Sequence, residues 1–112
     1  MKIVEKISKK ELKEMAAKMF GNLVKAVVDT EKEILVVDAE MHSDQEEFLL
    51  EQDSKQNNLW GINLYPDRTD NDFIEFDSMI NLRPSQGNRS RGVEDEKIRR
   101  KIITIVNNKI TK

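Results

Sequence analysis

The chain begins in a helical period. Leu12, Met15, Ala16, Met19 and Phe20 recur three and four residues apart, the spacing that sets apolar side chains along one face of a helix. Ser8-Lys9-Lys10-Glu11 just ahead of them has the spacing of a capping box. The Ser8 hydroxyl can accept from the Glu11 amide while the Glu11 carboxylate turns back, with Ile7 and Leu12 at staple positions. Gly21 supplies the stop. A second stripe, Ile98, Ile102, Ile105, Val106 and Ile110, predicts a helix at the other end, capped by Asp95, with Arg99, Arg100, Lys101 and Lys109 mostly off the stripe.

Between the two helices the period falls to two. Leu23–Asp29 and Glu33–His42 are β-rich runs around the polar turn Thr30-Glu31-Lys32 and predict a hairpin. Ser43-Asp44-Gln45-Glu46 has capping-box spacing again and opens a short helix through Phe48, Leu49 and Leu50. Leu59–Tyr65 and Phe73–Leu82 predict a second strand pair joined by Pro66–Asp72, and Lys2–Lys6 can add an edge strand. Strand alternation puts Val24, Ala26, Val28, Leu35, Val37, Ala39, Met41, Trp60, Ile62, Leu64, Ile74, Phe76, Ile80 and Leu82 on one face. Lys25, Asp38, Glu40, His42, Asn63, Tyr65, Glu75, Asp77, Asn81 and Arg83 fall on the other, which reads as polar and open to solvent. The expectation is an α+β, two-layer sandwich: a mainly antiparallel sheet of four or five strands in two hairpins, with about three helices on one face.

Composition narrows the picture. At 112 residues the chain is expected to be one domain, 1–112. The absence of cysteine excludes disulfides, thiolate metal sites and cysteine nucleophiles. No run approaches the ~18 apolar residues of a membrane span, and the start MKIVEKISKK lacks the apolar stretch of a signal peptide, so a cytoplasmic protein is expected. Charge is divided along the chain. Residues 1–28 carry seven Lys or Arg against three Asp or Glu, residues 29–82 three against fifteen, and residues 83–112 nine against three. Balances of +4, −12 and +6 thus lie behind a net charge of −2. Either basic ends fold over an acidic centre, or a local region attracts anions.

The segment INLRPSQGNRSRGVED, residues 80–95, stands out for chemistry. Arg83, Arg89 and Arg91 offer planar forks suited to carboxylate or phosphate, Gln86 and Asn88 can orient such a group, and a helix start follows. The spacing matches neither a P-loop nor a dinucleotide fingerprint. The same arginines can instead tie the loop to the acidic middle through internal ion pairs. A second constellation is Asp38, Glu40 and His42 at alternate positions, with Glu75 and Asp77 nearby in phase; an imidazole with carboxylates can hold a divalent metal or exchange protons, although a solvated acidic face uses the same residues. Arg89, Arg91, Arg99, Arg100 and Lys101 could form a local RNA or phosphate patch, but Trp60 and most other aromatics stand at core phase. With one histidine and no serine in a glycine elbow, no nucleophilic triad can be assembled.

The strings DAEMHSDQEEFLLEQDSKQNNLWGINLYP (38–66) and FIEFDSMINLRPSQGNRSRGVED (73–95) resemble a family of small uncharacterised prokaryotic proteins, a domain of unknown function. The likeness spans nearly the whole chain. Two positions depart from the family pattern: Gln52-Asp53-Ser54 stands where a glycine is usual, and Glu96 follows Asp95 where proline is common. The resemblance implies a single small domain and supplies no catalytic residues or cofactor. The residues themselves lead to a non-enzymatic binding module in which Arg83, Gln86, Asn88, Arg89 and Arg91 meet an anionic ligand or partner: phosphate, nucleotide, RNA or an acidic protein surface. The alternatives are a small metal-dependent enzyme using Asp38, Glu40 and His42, and a homodimerising structural protein.

Overall fold

The computed structural model describes residues 1–111. In chain order the elements are β1 (Lys2–Val4), β2 (Ile7–Ser8), α1 (Lys9–Lys18), β3 (Val24–Asp29), β4 (Ile34–Val37), α2 (His42–Glu51), β5 (Leu59–Leu64), β6 (Ile74–Glu75), α3 (Glu96–Lys109) and β7 (Ile110–Thr111). Five strands form an antiparallel sheet in the order β1-β4-β3-β5-β6, and β2 and β7 pair in parallel. The sheet contains both hairpins, β3–β4 and β5–β6, and the protein is the α+β arrangement that the pattern predicts.

The terminal helices form for the local reasons visible in their sequences. Both halves of the Ser8–Glu11 capping box are made, and Gly21, at a φ of +88°, donates to the Ala16 carbonyl to end α1. Asp95 caps α3 by accepting from the Lys97 amide, and Glu96 at the first helical position puts an anion at the positive end of the helix. Leu12 and Ala16 of α1 and Ile102, Ile105 and Val106 of α3 pack on Val24, Ala26, Val28, Leu35, Val37, Trp60, Ile62 and Leu64, the alternate residues of the three central strands. Each fully buried aliphatic side chain there contributes about 1.5–3 kcal/mol. The β2–β7 pairing of Ile7 with Ile110 ties the entry of α1 to the exit of α3.

The middle of the chain departs from the pattern in four places. Strand β4 stops at Val37 rather than His42, because Asp38 takes a φ of +67° that no strand can continue through. Helix α2 begins at His42, one residue before the Ser43 box, with Met41 at the cap and no side-chain cap bond, so the second capping box is not made. Asp53 stands at a φ of +70° at the exit of α2, a left-handed position that favours glycine. The run Phe73–Leu82 forms a strand only at Ile74–Glu75 and then coils into short turns at Met79–Asn81 and Pro84–Gln86.

The polar sheet face is therefore not open. Leu49 of α2 packs with Val27, Val36 and Leu59, residues that alternate with those of the larger core, and Ile80 joins them from the turn. His42, Asn63, Asn81 and Arg83 of that face are all buried, whereas Met41 and Leu82, placed by alternation on the apolar face, are more than two-fifths exposed. Among the described residues no helix is long and apolar enough to cross a membrane.

Candidate functional site

Where the second hairpin ends, side chains take over from a strand. Beside β5, Asn63 faces Glu75 of β6, but further back along the strand no backbone remains to pair with it. The fully buried amide of Asn81 fills the gap: its Oδ1 accepts from the Gly61 N–H at 2.8 Å and its Nδ2 donates to the Gly61 carbonyl at 2.9 Å. One residue pair beyond, an Nη of Arg83 donates to the Leu59 carbonyl. A primary amide offers the same donor–acceptor pair as a peptide unit, so Asn81 extends the ladder by one rung. Gly61 permits this approach, because a Cβ at that position would stand 2.5 Å from the Cβ of Ser78.

The remainder of the loop hangs from the same two residues and Asn88. Arg83 and Asn88 exchange backbone hydrogen bonds across a four-residue turn in which Gly87 has a φ of +84°. The Asn88 side chain, 4% exposed, donates to the carbonyls of Asn81 (2.7 Å) and Gly92 (2.8 Å) and accepts from the Glu94 amide (2.9 Å). The Arg83 guanidinium also donates to Ile80 and Gln86, stacks 4.6 Å from the Trp60 ring centroid and lies 3.9 Å from Glu46 Oε2, an ion pair without a hydrogen bond. Burial draws its pKa below the usual arginine value and the Glu46 carboxylate opposes that shift. Gln86 donates to the Asn57 carbonyl at 2.8 Å.

The two remaining arginines are disposed differently. Arg91 is half-exposed, with Nε 2.6 Å from Asp77 Oδ1. Arg89 gives its backbone N–H to Glu94 Oε2, and its exposed guanidinium has no partner among the described residues. Of the five residues singled out in the sequence, Arg83 and Asn88 thus face inward, Gln86 braces the turn, and Arg89 and Arg91 face solvent. The internal ion-pair reading holds for Arg83 and Arg91, whereas Arg89 stays in solvent. The ion pairs Arg83–Glu46, Arg91–Asp77 and Lys13–Asp67 each join a basic end to the acidic middle.

Asp38, Glu40 and His42 are not brought together. Asp38 and Glu40 lie between β4 and α2 and His42 is the first residue of α2, and among the described residues no three of His, Cys, Asp and Glu gather as a metal set. The His42 ring packs over Gly61 with Nε2 2.7 Å from the Ile62 carbonyl, so that nitrogen carries the proton. Burial lowers the pKa of His42; the Ile62 hydrogen bond opposes the shift, Lys25 and Arg91 add to it, and Asp77 opposes it. Its role is to bridge helix and sheet.

Sequence reading missed Asn81 and Gly61 as partners. The signal was a glycine inside an otherwise apolar strand, which marks close approach by another group.

The sequence pattern of one protein family, described as "Protein of unknown function (DUF5674)", matches residues 1–109. No curated protein and no solved structure matches the chain. The chain belongs to that family of prokaryotic proteins.

Proposed function

From membership of a family without an assigned activity, we propose that this protein is a non-enzymatic interaction module that presents Arg89 and Arg91 to an anionic partner. The observation that carries the reading is the division of one loop. Arg83, Asn88 and Asn81 hold it against the sheet through buried hydrogen bonds, while the Arg89 guanidinium is left in solvent without a partner among the described residues. A cation fixed at its backbone and unspent at its tip has only its side-chain freedom left to lose on binding a carboxylate or phosphate oxygen. Gln86 and Asn88 serve as supports, since their amides are engaged within the fold.

The test is a titration of the wild-type chain and of Arg89→Ala/Arg91→Ala with inorganic phosphate, a nucleotide, a short RNA and an acidic peptide, followed by amide chemical shifts. The expected result is a saturable shift at residues 89–92 with at least one of these anions, absent in the double variant. No shift with any of them, or equal binding by the variant, contradicts the reading.

A further inference from the structure

Away from the loop's arginines, a groove of about 750 Å3 separates the end of the sheet from the last helix. Phe73, Ile74 and Phe76 line it from β6 and its flanks, Arg99 and Ile103 from α3, and Lys9 from the start of α1. Ile103 is 38% exposed, an apolar side chain left on the outer side of α3. Both cations lie over aromatic rings: Lys9 Nζ is 5.1 Å from the Phe73 centroid and the Arg99 guanidinium 4.5 Å from that of Phe76. Neither has an ion-pair partner among the described residues, and Asp70 is the one described carboxylate in the lining. The groove therefore has an unspent positive charge beside an apolar wall.

Its sheet-side wall is also an unpaired edge. β6 ends the sheet. The Tyr65 N–H donates to the Phe73 carbonyl at 2.9 Å, and two residues along Asn63 stands opposite Glu75. Bond directions alternate along an antiparallel ladder, so the N–H and C=O of Ile74, between those pairs, turn away from β5. The edge is blocked further on, where the Ser78 N–H donates to the Arg91 carbonyl, and at Ile74 it has no partner among the described residues. An edge strand facing a helix across an apolar cleft is the geometry by which extended peptides add to a sheet.

We propose that this groove receives an extended segment of a partner protein whose groove-facing residues, every second one along the segment, include both aliphatic and acidic side chains, its backbone bonding to Ile74, its aliphatic side chains against Phe76 and Ile103, and its carboxylates at Lys9 and Arg99. A small anion would use only the cations; the free backbone and the apolar wall select a peptide. The site does not depend on Arg89 or Arg91.

The experiment is fluorescence anisotropy of the full chain with a labelled seven-residue peptide whose alternate residues run valine, glutamate, valine and glutamate, with serine between them, so that both kinds face the groove. Its controls are the valine–lysine counterpart and a copy N-methylated at alternate residues. The valine–glutamate peptide is expected to bind saturably, with Kd raised about tenfold or more by Lys9→Glu and by Ile103→Glu and unchanged by Arg89→Ala/Arg91→Ala. The two control peptides are expected not to bind. No binding, equal binding of the lysine or N-methylated peptide, or indifference to both groove variants overturns the proposal. So does a sedimentation mass of two chains with the Ile74 amide protected, since a second copy would then hold the edge. Loss of binding in Arg89→Ala/Arg91→Ala alone would transfer the peptide to the loop, contradicting the groove while favouring the loop reading.

Discussion

The inner and outer sides of the 80–95 loop share a composition and differ in every physical respect. On the inner side, Asn81, Arg83 and Asn88 are at most 9% exposed, and their side chains spend their hydrogen bonds on backbone groups of β5 and of the loop itself. On the outer side, Arg89 and Arg91 stand in solvent, and the one ion pair there joins Arg91 to Asp77. Residue type therefore does not tell an anion site from a structural brace. What separates them is whether a backbone acceptor lies within reach. A sheet edge left without a strand provides many such acceptors, and the nearest polar side chains are consumed by them.

Substitutions break this contrast in graded steps. Asn88→Ala leaves the buried Asn81 carbonyl and the half-buried Gly92 carbonyl and Glu94 amide without their partner, an expected loss of about 3 kcal/mol. Thermal denaturation should register it as a fall in Tm of roughly 10–15 °C. Arg83→Leu keeps volume but strands Glu46 and the Leu59 carbonyl, for a loss of about 3 kcal/mol in denaturant titration. Adding Glu46→Gln should recover part of it.

A further step is set by pH. Because burial lowers the folded pKa of His42 below its ordinary value of 6.5, the neutral ring contributes stability that is complete above that value. It is lost as pH falls from there through the folded pKa. Tm measured from pH 7.5 to 5.5 should drop more steeply for wild type than for His42→Gln, whose amide can still donate to Ile62. Smaller again, Asp53→Gly relieves a left-handed residue at the exit of α2 and should raise stability by about 0.5 kcal/mol. Arg89→Ala should change it by less than about 0.5 kcal/mol, with the anion-dependent amide shifts lost.

Much of this fold was legible from local signals. The Ser8–Glu11 box, the Asp95 cap and most of the two terminal stripes depend on residues within a few positions of one another, and these form. Met19 and Phe20 fall beyond the end of α1 and stand exposed, and Ile110 leaves α3 for β7. The hairpins were legible from period-two runs, but their lengths were not. Asp38 turns left-handed where the chain leaves β4 for α2, and along Phe73–Leu82 the side chains of Asn81 and Arg83 bond to β5 where a strand would have paired. Alternation divided most strand residues between the two faces but could not show that α2 covers the polar face, since Leu49 and Val27 lie far apart in sequence. For the candidate site, five residues were named together where the structure uses three as supports, pairs Arg91 with Asp77 and leaves the Arg89 guanidinium without a partner among the described residues. That split depends on long-range contacts with Leu59, Asn57 and Glu46 that no spacing encodes.

Native-state hydrogen exchange across the loop tests the division most directly. The amides of Gly61 and Glu94, bonded only to the side chains of Asn81 and Asn88, should exchange as slowly as those of β3 and β5, while Ser90 and Arg91 exchange near the rate of an open chain. If Gly61 and Glu94 exchange as fast as Ser90 and Arg91, the inner residues do not brace the sheet and the account fails.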